Sequence, residues 1–168
     1  MSVLLAPFLT LAIVLVVSGV DKLRRPDGAA SALRSARMAA AVGPGSIPRS
    51  RRLARTMGAL EAAIGVGAIA VPWATDRAVL GAIVALVVAA AFAGFAWFVS
   101  RLASIDATAS CGCFGSSSPP GPAHRRLNLA AAGVAVATAV ATLATDQAAD
   151  LGIIVDAGFG TSLAVLVL

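Results

Sequence analysis

Four blocks of apolar sequence, each of about 18 to 22 residues, match the length that crosses a bilayer. They leave a chain like this very few folds. The blocks run over residues 3–20, 56–73, 78–99 and 127–145. Residues 151–168 are apolar again but carry Asp156 and glycines, and form a candidate fifth span. In lipid every backbone N–H and C=O must find a partner within the protein, so a spanning segment is a helix or part of a closed barrel. The strict alternation of barrel strands is missing here. The sequence therefore predicts an all-α integral membrane protein, a four-helix transmembrane bundle with a candidate fifth C-terminal span. Neither a repeat nor a second domain is visible, so residues 1–168 read as one transmembrane domain. Small residues within the blocks (Gly58, Gly65, Gly67, Gly81, Gly94, Gly133) let helices approach closely where no hydrophobic effect drives them together.

Composition agrees. Of the 168 residues 59% are hydrophobic and only 12% are charged, against roughly a quarter charged in an ordinary domain. A soluble enzyme, a disordered tail, a collagen and a disulfide-dense secreted module are all poor readings. The net charge of +5 raises the question of nucleic acid. The basic residues lie beside apolar blocks, however, where membrane topology and anionic lipid account for them better. The first block has no basic stretch before it, which argues against a cleaved signal peptide.

Two long connections separate the blocks. Residues 21–55 carry Lys22, Arg24, Arg25, Arg34, Arg37, Arg49, Arg51, Arg52 and Arg55 against Asp21 and Asp27. Within them residues 28–42 are Ala-rich and predict a short amphipathic or interfacial helix, broken by Gly43-Pro44-Gly45. Residues 100–126 hold both cysteines and a Ser/Pro run, and read as a loop, partly re-entrant in one version. The excess of Lys and Arg predicts that both connections face the cytoplasm, with the N-terminus outside. Whichever way the bundle points, the end of the first span, the start of the second and the cysteine loop share one membrane face. Lys22, Glu61 and the cysteines, distant in sequence, can therefore meet.

Cys111-Gly112-Cys113-Phe114-Gly115 is the sharpest local signal. Two thiols one residue apart can close a small strained disulfide, which is easily reduced. A static stabilising bridge is a weaker reading, because so short a loop removes little chain entropy. Soft-metal binding competes: two thiolates with His124 suit copper(I), zinc or mercury. A plain pair of small residues at a helix end is the bland alternative. Glu61, inside an apolar block, is a functional candidate by default, or a solvated acid paired with arginine near the interface. Lys22 either snorkels or supplies a positive charge that stabilises a thiolate. His124, the single histidine, is a proton carrier near neutral pH or simply an exposed loop residue.

Together, Cys111-Gly112-Cys113-Phe114-Gly115 before the last strong span, Gly19-x-x-Lys22-Leu23 closing the first, and Leu60-Glu61 early in the second resemble the MauE family, the methylamine utilisation protein E group, which is related to the DoxX-like membrane proteins. The likeness covers about residues 5–145. The family often has an Arg-Asn pair entering the helix after the cysteine loop. Here the order is Arg125-Arg126-Leu127-Asn128, a loose match. The resemblance implies a multi-pass protein of a bacterial inner or plasma membrane that passes electrons through Cys111 and Cys113 to or from a thioredoxin-like partner. Lys22 and Glu61 would tune the pair. The setting it implies is methylamine utilisation, with maturation of an amine dehydrogenase. That partner works outside the cytoplasm, whereas the charge rule puts the cysteine loop inside. A quinone is a candidate electron sink, although no residue identifies its site. The other readings are a soft-metal binding or transport protein using Cys111, Cys113 and His124, and an assembly factor whose cysteines are incidental. Membrane lipid is an expected partner; nucleic acid is not.

Overall fold

The computed structural model describes residues 2–38, 43, 45–74, 77–106 and 121–145. The described residues form five helices: α1 (Ser2–Arg24), α2 (Pro26–Ser35), α3 (Ser46–Ala74), α4 (Ala78–Ile105) and α5 (Pro122–Thr145). Four of them are long and apolar enough to cross a membrane, over Leu4–Arg24, Ser46–Val71, Ala78–Ile105 and Pro122–Ala144. The predicted all-α bundle is thus observed. The candidate span 151–168 and the cysteine loop, with Cys111 and Cys113, lie outside the described residues.

Helix boundaries differ from the apolar blocks. Hydropathy marks what sits in lipid, not where helical hydrogen bonding stops. Accordingly α1 continues past residue 20 to Arg24 and carries Lys22 inside its last turn. The second span begins at Ser46 rather than near residue 56. Arginine is a good helix former, so Arg49, Arg51, Arg52 and Arg55 extend α3 as an exposed basic turn and a half beyond the apolar segment. The amphipathic helix expected over 28–42 is shorter and starts earlier, at Pro26. Proline suits the first helical position because its missing N–H would have no helical partner there. The helix stops where Arg37 turns left-handed, at φ +49°. The Met38 N–H then bonds the Leu33 carbonyl at 3.1 Å and the Arg37 N–H bonds Arg34 at 3.0 Å. This is the Schellman closure of a helix end.

Helices α1, α3, α4 and α5 form a closed ring in which α1 lies against α3 and α4 against α5, completed by α3–α4 and α1–α5 contacts. Successive spans run in opposite directions, as the contacts of Gly19 with Gly58 and of Gly65 with Ala12 show for α1 and α3. The core they share is small-residue sequence: Ala12, Leu15, Ala68, Ala82, Ala85, Val88, Phe92, Ala131, Ala135 and Ala139 are all buried. Several hydroxyl groups in the spans bond within their own helix. Thr10, Ser100, Thr138 and Thr142 each donate to the carbonyl four residues back, at 2.8–3.0 Å. Helix α2 does not lie out on the lipid surface. It caps one end of the ring, with Ala30 and Leu33 against Ala54, and Ala32 and Ala36 against Leu102. The Arg34 guanidinium donates to Ser50 Oγ at 2.7 Å, and Arg51 pairs with Asp27. By connectivity that capped end also receives the C-terminus of α1, the N-terminus of α3, the C-terminus of α4 and the N-terminus of α5. Every Lys and Arg in the chain except Arg77 belongs to it.

Candidate functional site

The α1–α3 contact is made by glycine. A Cβ placed on Gly19 would stand 2.5 Å from the Gly58 carbonyl oxygen and 2.6 Å from the Ala62 nitrogen. One on Gly58 would stand 2.7 Å from the Gly19 oxygen and 2.8 Å from the Lys22 Cβ. Any side chain at either position collides with backbone, so the two helices touch along their main chains. That approach positions the charged residues. Ser18 and Lys22 are four apart in α1 and share a face; Glu61 follows Gly58 by three on the facing side of α3. Because nothing projects from Gly58, the Lys22 stem crosses it and delivers the ammonium group to Glu61.

The result is a compact buried cluster. Lys22 Nζ donates to Glu61 Oε2 at 2.7 Å and to Ser18 Oγ at 2.6 Å. The Ser18 hydroxyl donates to the same Glu61 Oε2 at 3.1 Å. Lys22 is 7% exposed, Glu61 4% and Ser18 4%. Lys22 Nζ also lies 5.7 Å from the centre of the Phe95 ring, within the range of a cation–π attraction. Glu61 Oε1 is buried and has no hydrogen-bond partner among the described residues. An orphaned carboxylate oxygen is costly in a low-dielectric interior, so this atom marks a place where a ligand, a proton or a second polar group would be stabilised.

Of the residues singled out in the sequence, Lys22 and Glu61 are brought into direct contact. Glu61 is buried rather than solvated, and its cationic partner is Lys22 and not an arginine. Lys22 does not snorkel to the surface. His124 is not an exposed loop residue: it sits in the first turn of α5, half-buried, and its Nδ1 is buried without a partner among the described residues. Asn128, one turn on, donates to the His124 carbonyl at 2.9 Å, whereas Arg126 is exposed. Ser18 was not singled out by sequence reasoning; its four-residue spacing from Lys22 was the available signal.

These groups line one cavity of about 290 Å³, bounded by Ser18, Lys22, Glu61, His124 and Asn128 on its polar side and by Leu33, Met57, Phe92, Phe95 and Phe98 elsewhere. Phe92 and Phe95 meet edge to face, with ring centres 5.7 Å apart. The ends of α4 and α5 that flank residues 107–120 stand at this same end of the bundle. Among the described residues no group of three or more His, Cys, Asp or Glu side chains is placed to hold a metal ion.

A family model described as methylamine utilisation protein MauE matches residues 1–145. No curated protein and no solved structure matches the chain. The family match ends at the residue where α5 ends, so it takes in every described helix and the whole Lys22–Glu61 site. This multi-pass membrane protein belongs to the MauE family.

Proposed function

We propose that the protein is a membrane thiol–disulfide redox protein in which Cys111 and Cys113 exchange electrons with a thioredoxin-like partner. The observation that carries this reading is the buried Lys22–Glu61–Ser18 cluster at the end of the bundle where α4 and α5 flank the Cys-Gly-Cys segment. A buried ion pair inside a membrane span is costly, and such residues mark functional sites by default. A cationic group near a thiol favours the reactive thiolate, and a carboxylate with one oxygen unpartnered among the described residues can accept the proton that thiolate formation releases.

The exchange follows ordinary thiol chemistry. One thiolate of the pair attacks a sulfur of the partner's disulfide. That S–S bond breaks, a mixed disulfide forms, and the partner's second sulfur leaves as a thiolate that takes up a proton. The remaining cysteine, deprotonated in turn, attacks the mixed disulfide. The chain then holds the disulfide and the partner two thiols, with two electrons and two protons transferred. Run backwards, the same steps oxidise the partner. The family's description as methylamine utilisation proteins supports a setting in a bacterial inner or plasma membrane, with maturation of an amine dehydrogenase as the first process to examine.

The test is alkylation with a membrane-impermeant reagent in intact cells and in inside-out vesicles, with and without prior reduction. Labelling that requires reduction, and that is lost in Cys111→Ser and Cys113→Ser, is the expected result; the accessible side reports which face carries the pair. Labelling that needs no reduction, ignores oxidant and is blocked by copper or zinc would replace this reading with soft-metal binding. Normal thiol oxidation of the partner by a double serine variant would replace it with an assembly role.

A further inference from the structure

The cavity beside Glu61 has a mouth, and the mouth opens sideways. Of the residues that line it, three are exposed: Ala90, Gly94 and Trp97. All belong to α4, and their spacing of four and then three puts them on one face. That face lies within the Ala78–Ile105 span, so it meets lipid rather than water. Two of the three are the smallest residues available, and a Cβ built on Gly94 would meet nothing within 4 Å. The opening is therefore a gap in the bundle wall at bilayer depth. It leads inward past Phe95 and Phe98 to Lys22, Glu61 and His124.

The lining specifies what fits. The volume, about 290 Å³, stands at the lower end of ligand pockets, which run from about 300 to 1,000 Å³. A compact head group is accommodated and a bulky one is not. Most of the wall is aromatic or aliphatic, with Phe92, Phe95, Phe98 and Trp97 contributing ring surface. Glu61 Oε1, buried and without a partner among the described residues, accepts hydrogen bonds when ionised, and a donor from a ligand would satisfy it. His124 Nδ1 is a second buried atom on the same cavity without a partner among the described residues. Lys22 Nζ has three hydrogens, two of them committed to Ser18 and Glu61. The complement is an uncharged, flat ring with hydroxyl or carbonyl oxygens, carried on an apolar tail and arriving through the lipid.

We propose that this cavity binds the ring head of a membrane-borne quinol or quinone, with a quinol hydroxyl donating to Glu61 Oε1 and the apolar tail leaving past Gly94. The head stacks among Phe92, Phe95 and Phe98, and its second oxygen lies within the polar group formed by His124 and Asn128. The site rests on the cavity alone and stands whether or not the cysteine pair is redox-active.

The experiment uses the purified full-length chain in phosphatidylcholine nanodiscs, with the cysteines blocked by alkylation so that thiol exchange plays no part. The probe is a short-chain benzoquinone, oxidised or pre-reduced, and the readout is quenching of Trp97 in a Trp73→Phe background. Saturable quenching is expected. Gly94→Phe, whose Cβ would meet nothing within 4 Å and whose ring is placed to obstruct the mouth, should weaken the apparent affinity at least tenfold. Glu61→Gln should weaken binding of the reduced probe more than that of the oxidised one. Should Glu61→Gln fail to fold, Gly94→Phe still decides the matter. Quenching that rises linearly with membrane quinone and is the same in Gly94→Phe would overturn the proposal. So would quenching by a spin-labelled phosphatidylcholine that Gly94→Phe abolishes while the quinone shows no saturation, since the cavity would then hold an acyl chain.

Discussion

The two helix pairs of the bundle are built from similarly small residues but on different principles. Between α1 and α3, glycine is obligatory: Gly19, Gly58 and Gly65 each leave room for nothing larger than hydrogen, and a Cβ at Gly65 would lie 2.6 Å from the Ala12 oxygen. Between α4 and α5 the seam is alanine, with Ala82, Ala85 and Ala89 on one side and Ala131, Ala135 and Ala139 on the other. Its one glycine near a neighbour, Gly81, would place a Cβ an ordinary 3.5 Å from Thr142. The polar content differs in the same way. The α1–α3 contact encloses a lysine, a glutamate and a serine that bond one another across the interface. The buried Thr142 of the α4–α5 pair bonds only within its own helix among the described contacts. One pair carries chemistry and is intolerant; the other is a support and has slack.

The largest effect should come from separating the buried charges. Removing one partner of a buried ion pair typically costs about 3–5 kcal/mol, because the other charge is left unpaired. Lys22→Ala and Glu61→Ala should each lower thermal stability in detergent sharply, while Lys22→Met combined with Glu61→Leu recovers most of it. If both singles unfold like the wild type, the cluster is not buried as described. If the double variant is stable yet fails to support thiol oxidation in cells, the pair is retained for function rather than for folding.

The next effect is steric. Gly19→Ala or Gly58→Ala forces backbone apart, and overpacking of this kind costs about 1–3 kcal/mol. It should also pull Lys22 away from Glu61, which places a structural and a functional loss on one substitution. Gly65→Ala is expected to behave similarly but to leave the Lys22–Glu61 contact closer to intact, since it meets Ala12 and Val16 further along α1. Unfolding curves for the three variants, together with the thiol-labelling pattern, distinguish these outcomes. By contrast Gly67 and Gly133 have open space where a Cβ would go. Replacing either with alanine should be neutral or stabilising by up to about 1 kcal/mol through helix propensity.

This division explains what the sequence could and could not disclose. Span number and the shared end of Lys22, Glu61 and the cysteine segment followed from hydropathy blocks and connection lengths, because each crossing reverses direction. The order of burial did not follow. Gly19, Gly58 and Gly67 are the same letter at unremarkable spacings. Only the rotational setting of α1 against α3 shows that two of them face backbone and the third does not. The same setting decides that Glu61 faces Lys22, and that Ser18 completes the cluster. The start of α3 was hidden for a different reason: charged residues such as Arg49 and Arg52 continue a helix as well as leucine does, so the drop in hydropathy near residue 55 marked a change of environment and not of conformation. His124 looked like a loop residue because proline and serine precede it, yet Pro122 opens a helix instead of preventing one.

The smallest predicted effect is the one that sharpens the contrast most. Gly81→Ala adds a methyl group at ordinary van der Waals distance from the Thr142 methyl, against a helix that nothing forces to move. The added contact and the gain in helix propensity act in the same direction, and no polar group loses a partner. The change in stability should stay within about 1 kcal/mol and fall on the favourable side. Measured beside Gly58→Ala in the same detergent, it asks whether the two interfaces differ in kind. Equal losses would mean that α4–α5 is as tightly registered as α1–α3, and that the Lys22–Glu61 interface owes nothing special to its glycines. A loss confined to Gly58→Ala would place the rigid, precisely spaced contact where the buried charges are, with the alanine seam left free to adjust around the cavity that opens on α4.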